Sequence, residues 1–354
     1  MRQKKQMKML GLLGLLAALP IISACAGNKG SDESRKEKMV QSVSVVQPIT
    51  GTWINLAYKD VRNKYTNPQH FDNMDPKLWT AKVRELANMG IEYLVFMEVA
   101  NEGKAYYPSK LMPWLYNDKL QSPVDAILDE AAKHGMKVFM STGWAKDQDD
   151  NLLDPVIKER QLQIMEELAS LYKNHKAFYG WYLPVEDCLC PIFAEHAVQS
   201  VNALTEKAHS LTPGKKTLIS PYGIGLSEFD HPDFEKQMAK LKVDIIAYQD
   251  EVGCVRDKFT LPRLKKNWQR MRDIHNRLNI EMWANCETFT WEEGTNDRQS
   301  ALIPAAYSRL LSQQVAASAA GVDRIISFMF GGIIEDPKSS YQLGHPVWSN
   351  DLYN

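Results

Sequence analysis

The chain from Gly51 onward alternates short apolar runs with longer segments in which apolar residues recur every third or fourth position. A short apolar run bounded by turn residues is typical of a buried strand, whereas the longer period is typical of an amphipathic helix. Eight runs predict strands, at residues 52–58, 91–99, 136–144, 178–187, 216–223, 243–250, 280–289 and 322–330.

Start and stop residues mark several helices between these runs. An Asp or Ser followed by proline begins a helix, because the side chain accepts a free backbone N–H and proline needs no hydrogen bond in the first turn. Glycine after the last apolar position ends a helix. The chain has these signals at Asp75-Pro76 with Gly90, Ser122-Pro123 with Gly135, and Asp154-Pro155.

Alternating strands and helices predict parallel pairing, since consecutive parallel strands need a crossover about as long as a helix. Eight such units predict an α/β protein with one (β/α)8 TIM-barrel domain at residues 49–354. A doubly wound open sheet is the alternative, but residues 58–63 lack the glycines that such sheets place after the first strand. Residues 333–354 resemble a loop, so we expect the eighth helix to be short or missing.

The amino terminus has the pattern of an export signal. A basic start precedes a short apolar segment, Met9–Ile22, which is too short to span a bilayer as a helix. Residues Ile22–Cys25 resemble the lipobox of bacterial lipoproteins, which implies a signal peptide at 1–24 and acylation of the Cys25 sulfur, for example with palmitate. An ordinary signal peptide in which Cys25 has no role is the alternative.

Residues 25–48 then form a polar, flexible tether, because the charged stretch after Cys25 lacks apolar periodicity. We expect an exported lipoprotein, anchored to a membrane by its lipid, on the periplasmic or cell-surface side of the outer membrane.

Charge and motifs narrow the possible partners. The chain has 42 basic and 43 acidic residues, a formal net charge of −1, which gives no electrostatic reason to expect nucleic acid as a partner. No His-x-His ends the first run and the sequence has no HExxH motif, so we expect no metal and no cofactor.

Two of the apolar runs end on glutamates, Glu186 and Glu287. The carboxyl ends of barrel strands meet at one face, so we expect both glutamates at one pocket. Other residues at these ends are candidate substrate contacts: Tyr248, Asp250, Trp144, Tyr222, Trp291, Gln249 and Asn285. Asp250 could instead form a turn, and Trp144, Tyr222 or Trp291 could instead pack under a loop. Carboxylates among aromatic rings, with few cations, indicate a neutral polyhydroxylated ligand.

A barrel with glutamates ending its fourth and seventh strands resembles the clan of retaining glycoside hydrolases often called clan A. The resemblance implies that Glu186 is the acid/base and Glu287 the nucleophile, with Tyr248 near the nucleophile. Many members have asparagine before the acid/base, whereas Val185 stands there in this chain. The chain also resembles an uncharacterised, glycosidase-like barrel family among lipoproteins of gut bacteria.

These residues predict an exported glycoside hydrolase that cleaves oligosaccharides or polysaccharide fragments by a two-glutamate mechanism. One carboxyl group protonates the leaving oxygen while the other stabilises the developing positive charge from the opposite face of the sugar. The alternatives are a barrel that binds glycans without cleaving them and a hydrolase or lyase of another class.

Four cysteines besides Cys25 lie at or just past predicted strand ends: Cys188, Cys190, Cys254 and Cys286. Their spacing lacks the C-x2-C pairs of structural zinc sites. In an exported protein they could form a disulfide from the fourth loop to the sixth or seventh, or they could remain free, buried thiols.

Overall fold

The computed structural model describes residues 46–56, 75–114, 121–145, 151–255, 260–294 and 300–344. The predicted signal peptide at 1–24, the acylation at Cys25 and the tether as far as residue 45 lie outside these ranges and stay predictions. No helix within the described ranges is long and apolar enough to cross a membrane.

Eight parallel strands close into one barrel, which confirms the predicted fold class. The strands pair in chain order, and the last pairs with the first to complete the ring. All eight predicted strands are present, but each observed strand ends before its apolar run does. Their bounds are β1 Ile49–Ile54, β2 Tyr93–Phe96, β3 Lys137–Ser141, β4 Phe178–Tyr182, β5 Lys216–Ile219, β6 Ile245–Gln249, β7 Glu281–Glu287 and β8 Arg324–Phe328.

Seven helices lie between these strands in the described ranges: α1 Pro76–Asn88, α2 Pro123–Lys133, α3 Pro155–Tyr172, α4 Glu195–Leu211, α5 Phe234–Met238, α6 Leu261–His275 and α7 Tyr307–Ala320. The predicted caps Asp75, Ser122 and Asp154 each accept a backbone N–H of the first turn, at 2.9, 3.0 and 2.8 Å. Gly90 and Gly135 follow α1 and α2 with φ of 84° and 67°, a backbone conformation that glycine adopts without a steric penalty.

No helix follows β8 as far as residue 344, so the expectation for the eighth helix is confirmed over the part that the structure describes. The chain after β8 is instead fixed against α1 by buried charges. Lys82 of α1 is fully buried and pairs with Glu85 at 2.9 Å and with Glu335 at 2.8 Å. Glu335 also accepts three backbone N–H groups, from Gly332, Leu343 and Gly344.

Side chains inside the barrel are mainly aromatic. Alternate strand residues face the barrel axis, and rings from opposite strands meet edge to face, with Trp53 4.6 Å from Tyr182 and Tyr93 5.2 Å from Trp283. The residues between them on each strand pack outward against the helices in a second apolar cluster. This alternation decides which strand residues reach the site.

Two short antiparallel hairpins project from the carboxyl end of the barrel. One pairs Ala100–Asn101 with Lys104–Ala105 after β2, and the other pairs Phe289–Trp291 with Leu302–Pro304 after β7. The second hairpin contributes Phe289, Trp291 and Leu302 to the wall of the cavity described next.

Candidate active site

A cavity of about 650 Å³ opens at the carboxyl end of the barrel, the end that carries function in barrels of this type. Glu186 and Glu287 both line this cavity, although they are a hundred residues apart in the chain. Gln249, Asn285, Tyr222 and Trp291 line it as well, so the structure brings six of the nine proposed site residues together.

Glu287 is the last residue of β7 and is 4% exposed. Its Oε2 accepts the backbone N–H of Cys254 at 2.6 Å. The loop that donates this bond passes very close, because a side chain at Gly253 would lie 2.4 Å from the carbonyl oxygen of Phe289. Burial, and then the charge of Asp250, raises the pKa of Glu287 from 4.5 to about 8. Both effects favour the protonated form of Glu287 in the free protein.

Glu186 lies in the loop after β4, not at the strand end that the sequence predicts. The strand ends at Tyr182 because Pro184 has no N–H to continue the ladder. The amide of Gln249 donates to Glu186 Oε1 at 2.5 Å and to the carbonyl oxygen of Ser220 at 3.0 Å. A side chain of β6 therefore orients the carboxyl group of Glu186.

We call the polar residues Ser220, Gln249, Asn285 and Glu287, which line the cavity, its floor. The Oδ1 of Asn285 accepts the indole N–H of Trp53 at 3.1 Å, and the amide of Asn285 donates to Ser220 Oγ at 3.2 Å. Asn285 is 2% exposed and lies two residues before Glu287, so the two-residue period of a strand points both side chains into the cavity.

Tyr248 faces away from the cavity, which corrects its proposed contact with substrate. Ala247 and Gln249 face the barrel axis, so the residue between them faces the helices. Its hydroxyl donates to Nε2 of buried His275 at 2.7 Å, since Nδ1 of that ring donates to the carbonyl oxygen of Ile280 at 2.8 Å. Burial lowers the pKa of His275 to about 4.

Asp250 has no exposed surface and does not line the cavity, so it cannot contact a ligand there. Its Oδ1 accepts the N–H groups of Val252 at 3.2 Å and Glu287 at 3.1 Å, and its Oδ2 accepts the amide of Gln313 at 2.6 Å. This geometry corrects the proposed sugar contact and fits the turn-forming alternative. Burial raises the pKa of Asp250.

The three proposed aromatic platforms differ in position. Tyr222, 39% exposed, stands at the mouth of the cavity, and Trp291 lines the wall with its indole N–H on the carbonyl oxygen of Cys254 at 3.2 Å. Trp144 is instead 7% exposed and packs in the apolar cluster inside the barrel. It does not line the cavity, which agrees with the packing alternative.

Glu251 is a third carboxylate of the cavity that the sequence analysis missed. It is 8% exposed, has a left-handed backbone with φ of 54°, and accepts the N–H of Gly225 at 3.5 Å. Burial raises its pKa. Strand alternation does not reach Glu251, because β6 ends at Gln249 and the backbone of Glu251 is left-handed, so the sequence pattern provided no signal for this residue.

Helix α7 supports the floor from outside. Arg309 donates to the carbonyl oxygens of Glu287 and Phe289, both at 2.7 Å, and Gln313 donates to the carbonyl oxygen of Glu287 at 3.1 Å as well as to Asp250. Neither residue was a sequence candidate, because polar residues of a helix usually face solvent and no spacing distinguishes these two.

Cys188 and Cys190 form a disulfide within the single loop after β4, with their Cα atoms 5.2 Å apart. The proposed bridge from this loop to the sixth or seventh is therefore wrong. Cys254 and Cys286 form no disulfide among the described residues, and the first is partly exposed at the cavity while the second is buried. Among the described residues no group of three or more His, Cys, Asp or Glu side chains could hold a metal ion.

A closed (β/α)8 barrel with several carboxylates in a cavity at the carboxyl ends of its strands has the architecture of a TIM-barrel enzyme. The chain belongs to the family described as "Domain of unknown function (DUF4434)", whose model matches residues 49–341. It is also 29% identical over 144 residues to the glycosyl hydrolase DigH of Escherichia coli (strain K12), a match that covers 37% of this chain and 32% of DigH. The chain thus matches about a third of that relative's length.

Solved structures share the barrel. A protein of Bacteroides thetaiotaomicron VPI-5482, named provisionally as an alpha-L-fucosidase, superposes with a TM-score of 0.63 and 20% identity, covering 83% of this chain and 91% of that one. A beta-galactosidase from the psychrophilic Marinomonas ef1 superposes with a TM-score of 0.51 and 11% identity, covering 80% of this chain and 54% of that one. At these identities the likeness shows the fold.

Proposed function

We propose that this protein is an exported glycoside hydrolase that uses Glu186 and Glu287 as its two carboxyl groups. The observation that carries the proposal is that both side chains line one cavity of about 650 Å³ together with Tyr222 and Trp291. Paired carboxyl groups beside aromatic rings are what cleavage of a glycosidic bond requires. The names of the similar proteins, a glycosyl hydrolase and two barrels named for glycosidase activity, support the same reaction class.

In the proposed reaction, sugar rings stack on Tyr222 and Trp291 and the scissile bond lies between the two glutamates. Glu186 gives its proton to the leaving oxygen while Glu287, as carboxylate, attacks the anomeric carbon and forms a glycosyl ester. Glu186 then takes a proton from water, whose oxygen displaces Glu287 and restores both groups. Glu287 has to lose its proton before the first step.

The substrate that fits is a neutral sugar. The described cavity lining contains Glu186, Glu251 and Glu287 and no lysine or arginine, so it offers no cation to pair with the carboxylate of an acidic sugar. Neutral hydroxyl groups can donate to these carboxylates and accept from the amides of Gln249 and Asn285. We propose oligosaccharides or polysaccharide fragments as the substrate class.

The proposed location is the membrane surface, with Cys25 carrying the lipid. Its support is the sequence pattern of Ile22–Cys25 after a short apolar segment. Mass spectrometry of the membrane-bound protein tests this directly. The expected result is a mature chain that starts at an acylated Cys25, and an unmodified Cys25 or a different start contradicts it.

The activity is tested by product release from a panel of neutral oligosaccharides and aryl glycosides. We expect Glu186→Gln and Glu287→Gln to lower turnover by roughly 10²–10⁴-fold or more while ligand still binds. Glu206→Gln is the matched control, because Glu206 is an exposed glutamate of α4 that pairs with Lys242. Full turnover after either cavity substitution would refute the role given to that glutamate.

A barrel that binds glycans without cleaving them is the second candidate. The observation that favours it is the raised pKa of Glu287, about 8, because a protonated carboxyl group is not a nucleophile. Titration calorimetry with the same oligosaccharide panel separates the two. Binding without product release at any pH up to 9 supports the second candidate, and product release excludes it.

A further inference from the structure

A second cavity lies at the opposite, amino-terminal end of the barrel, where the loops enter β3, β4 and β5. It has a volume of about 430 Å³ and shares no lining residue with the cavity that holds Glu287. Three lysines converge on it, Lys137, Lys176 and Lys215, beside the half-buried ring of Tyr179. We call it the lysine cavity.

The charges of these three lysines are not balanced by carboxylates within the described ranges. Lys137 donates to the hydroxyl of Tyr93 at 2.9 Å, and Lys215 donates to the carbonyl oxygen of Phe178, so their partners are neutral. Cations elsewhere on this end of the barrel do pair with carboxylates, as the contacts of Lys216 with Asp244 at 3.7 Å and with Glu281 at 3.6 Å illustrate.

Partial burial disfavours the charged form of Lys215. It is half-buried, its ammonium lies 4.7 Å from the ring centroid of Phe178, and burial lowers its pKa. An anion in the cavity would supply the opposite charge that these contacts lack, and it would interact most strongly with the least hydrated of the three lysines.

We propose that the lysine cavity binds a phosphate group. Lysine ammonium groups bind phosphate as point charges, and three of them can surround the oxygens of a phosphate monoester or diester. The volume leaves room for a phosphate and the organic group attached to it. The phosphate can belong to a phospholipid head group or to a soluble molecule, two sources with the same chemistry.

The first experiment measures the binding of inorganic phosphate to the purified full chain by phosphorus NMR line broadening. We expect the triple substitution Lys137→Gln, Lys176→Gln, Lys215→Gln to weaken binding at least about tenfold, since each lysine near an anion contributes a several-fold effect. The control replaces three ion-paired lysines, Lys207, Lys240 and Lys242, with glutamine. Equal loss in the control overturns the proposal.

The second arm compares vesicles of phosphatidylcholine with vesicles that also contain phosphatidylglycerol. A lipid anchor would insert into both, so a preference for phosphatidylglycerol reports the head group. A preference that the triple variant loses assigns a phospholipid, whereas phosphate binding without that preference assigns a soluble ligand. Binding in neither arm overturns the proposal. Lys176→Gln alone, at an exposed lysine, gives a smaller loss and keeps the test valid if the triple variant does not fold.

Discussion

At the scale of single residues, the carboxyl groups around Glu287 control one another. Asp250 accepts three protein N–H groups, which fix its position behind Glu287. Burial raises the pKa of Asp250, and the charge of the nearby Arg309 guanidinium opposes part of that shift. The charge of Asp250 in turn favours the protonated form of Glu287. Glu251 adds a smaller effect of the same sign.

The first prediction concerns the pH dependence of activity. If Glu287 is the nucleophile, kcat/KM rises as the pH increases through about 8, because the carboxylate is the active form. Asp250→Asn removes the neighbouring charge and should move this limb to lower pH, by roughly one unit. Asp233→Asn, at an exposed aspartate, should leave it in place. A profile that falls through pH 8 would instead make Glu287 the proton donor.

The second prediction concerns acid stability. His275 has a pKa of about 4 in the folded protein against 6.5 ordinarily, so between these values the unfolded chain binds more protons. The free energy of unfolding should therefore fall as the pH decreases from 6.5 to 4, by roughly 3 kcal/mol from this residue.

His275→Gln should flatten that dependence, and denaturant unfolding followed by circular dichroism measures it. Replacing partly exposed His231 by glutamine is the control. An unchanged pH dependence in His275→Gln would mean that His275 does not titrate in this range.

At the scale of elements, α1 and the chain after β8 are joined through one buried charge. Lys82 and Glu335 are both fully buried, and Glu85 shares the lysine while accepting the N–H of Asp336. A buried charge without its partner is far more costly than an exposed one. The described chain after β8 is therefore held against α1 by a buried ion pair.

The third prediction tests this joint. Lys82→Met should lower the free energy of unfolding by roughly 3–5 kcal/mol, because two buried carboxylates lose their cation. Adding Glu335→Gln should recover part of that loss in the double variant. Lys133→Met on α2, where the lysine is largely exposed, should cost less than about 1 kcal/mol. A loss of less than about 1 kcal/mol for Lys82→Met would show that the contact between α1 and the chain after β8 does not need the charge of Lys82.

At the scale of the whole molecule, the barrel could be predicted from the sequence because the strand pattern is repeated eight times. Each buried parallel strand is an apolar run and each crossover has helical periodicity, so errors in one unit do not change the fold. The predicted strand ends were less accurate, because apolar residues such as Leu183 continue into the loops that cover the core.

The site was only partly predictable, for a physical reason. Residues that face the barrel axis could be predicted from strand alternation. Gln249, Asn285 and Glu287 are at inward-facing positions of that alternation, and Tyr248 and Asp250 are not. Contacts that another element makes with the site could not be predicted from the sequence. The disulfide of Cys188 with Cys190 and the support from Arg309 depend on how loops and helices pack, which the local pattern does not encode.

Hydrogen bonds from α7 to the backbone at Glu287 and Phe289 couple the rigidity of the cavity wall to that of the helix. Arg309 and Gln313 bind the carbonyl oxygens of β7 and its hairpin, and Glu287 in turn holds the amide of Cys254. In hydrogen–deuterium exchange, the Cys254 amide should therefore exchange as slowly as the interior of α7, although it lies in a loop. Gln313→Ala should accelerate both together, whereas faster exchange at Cys254 alone would show that the loop opens without the helix.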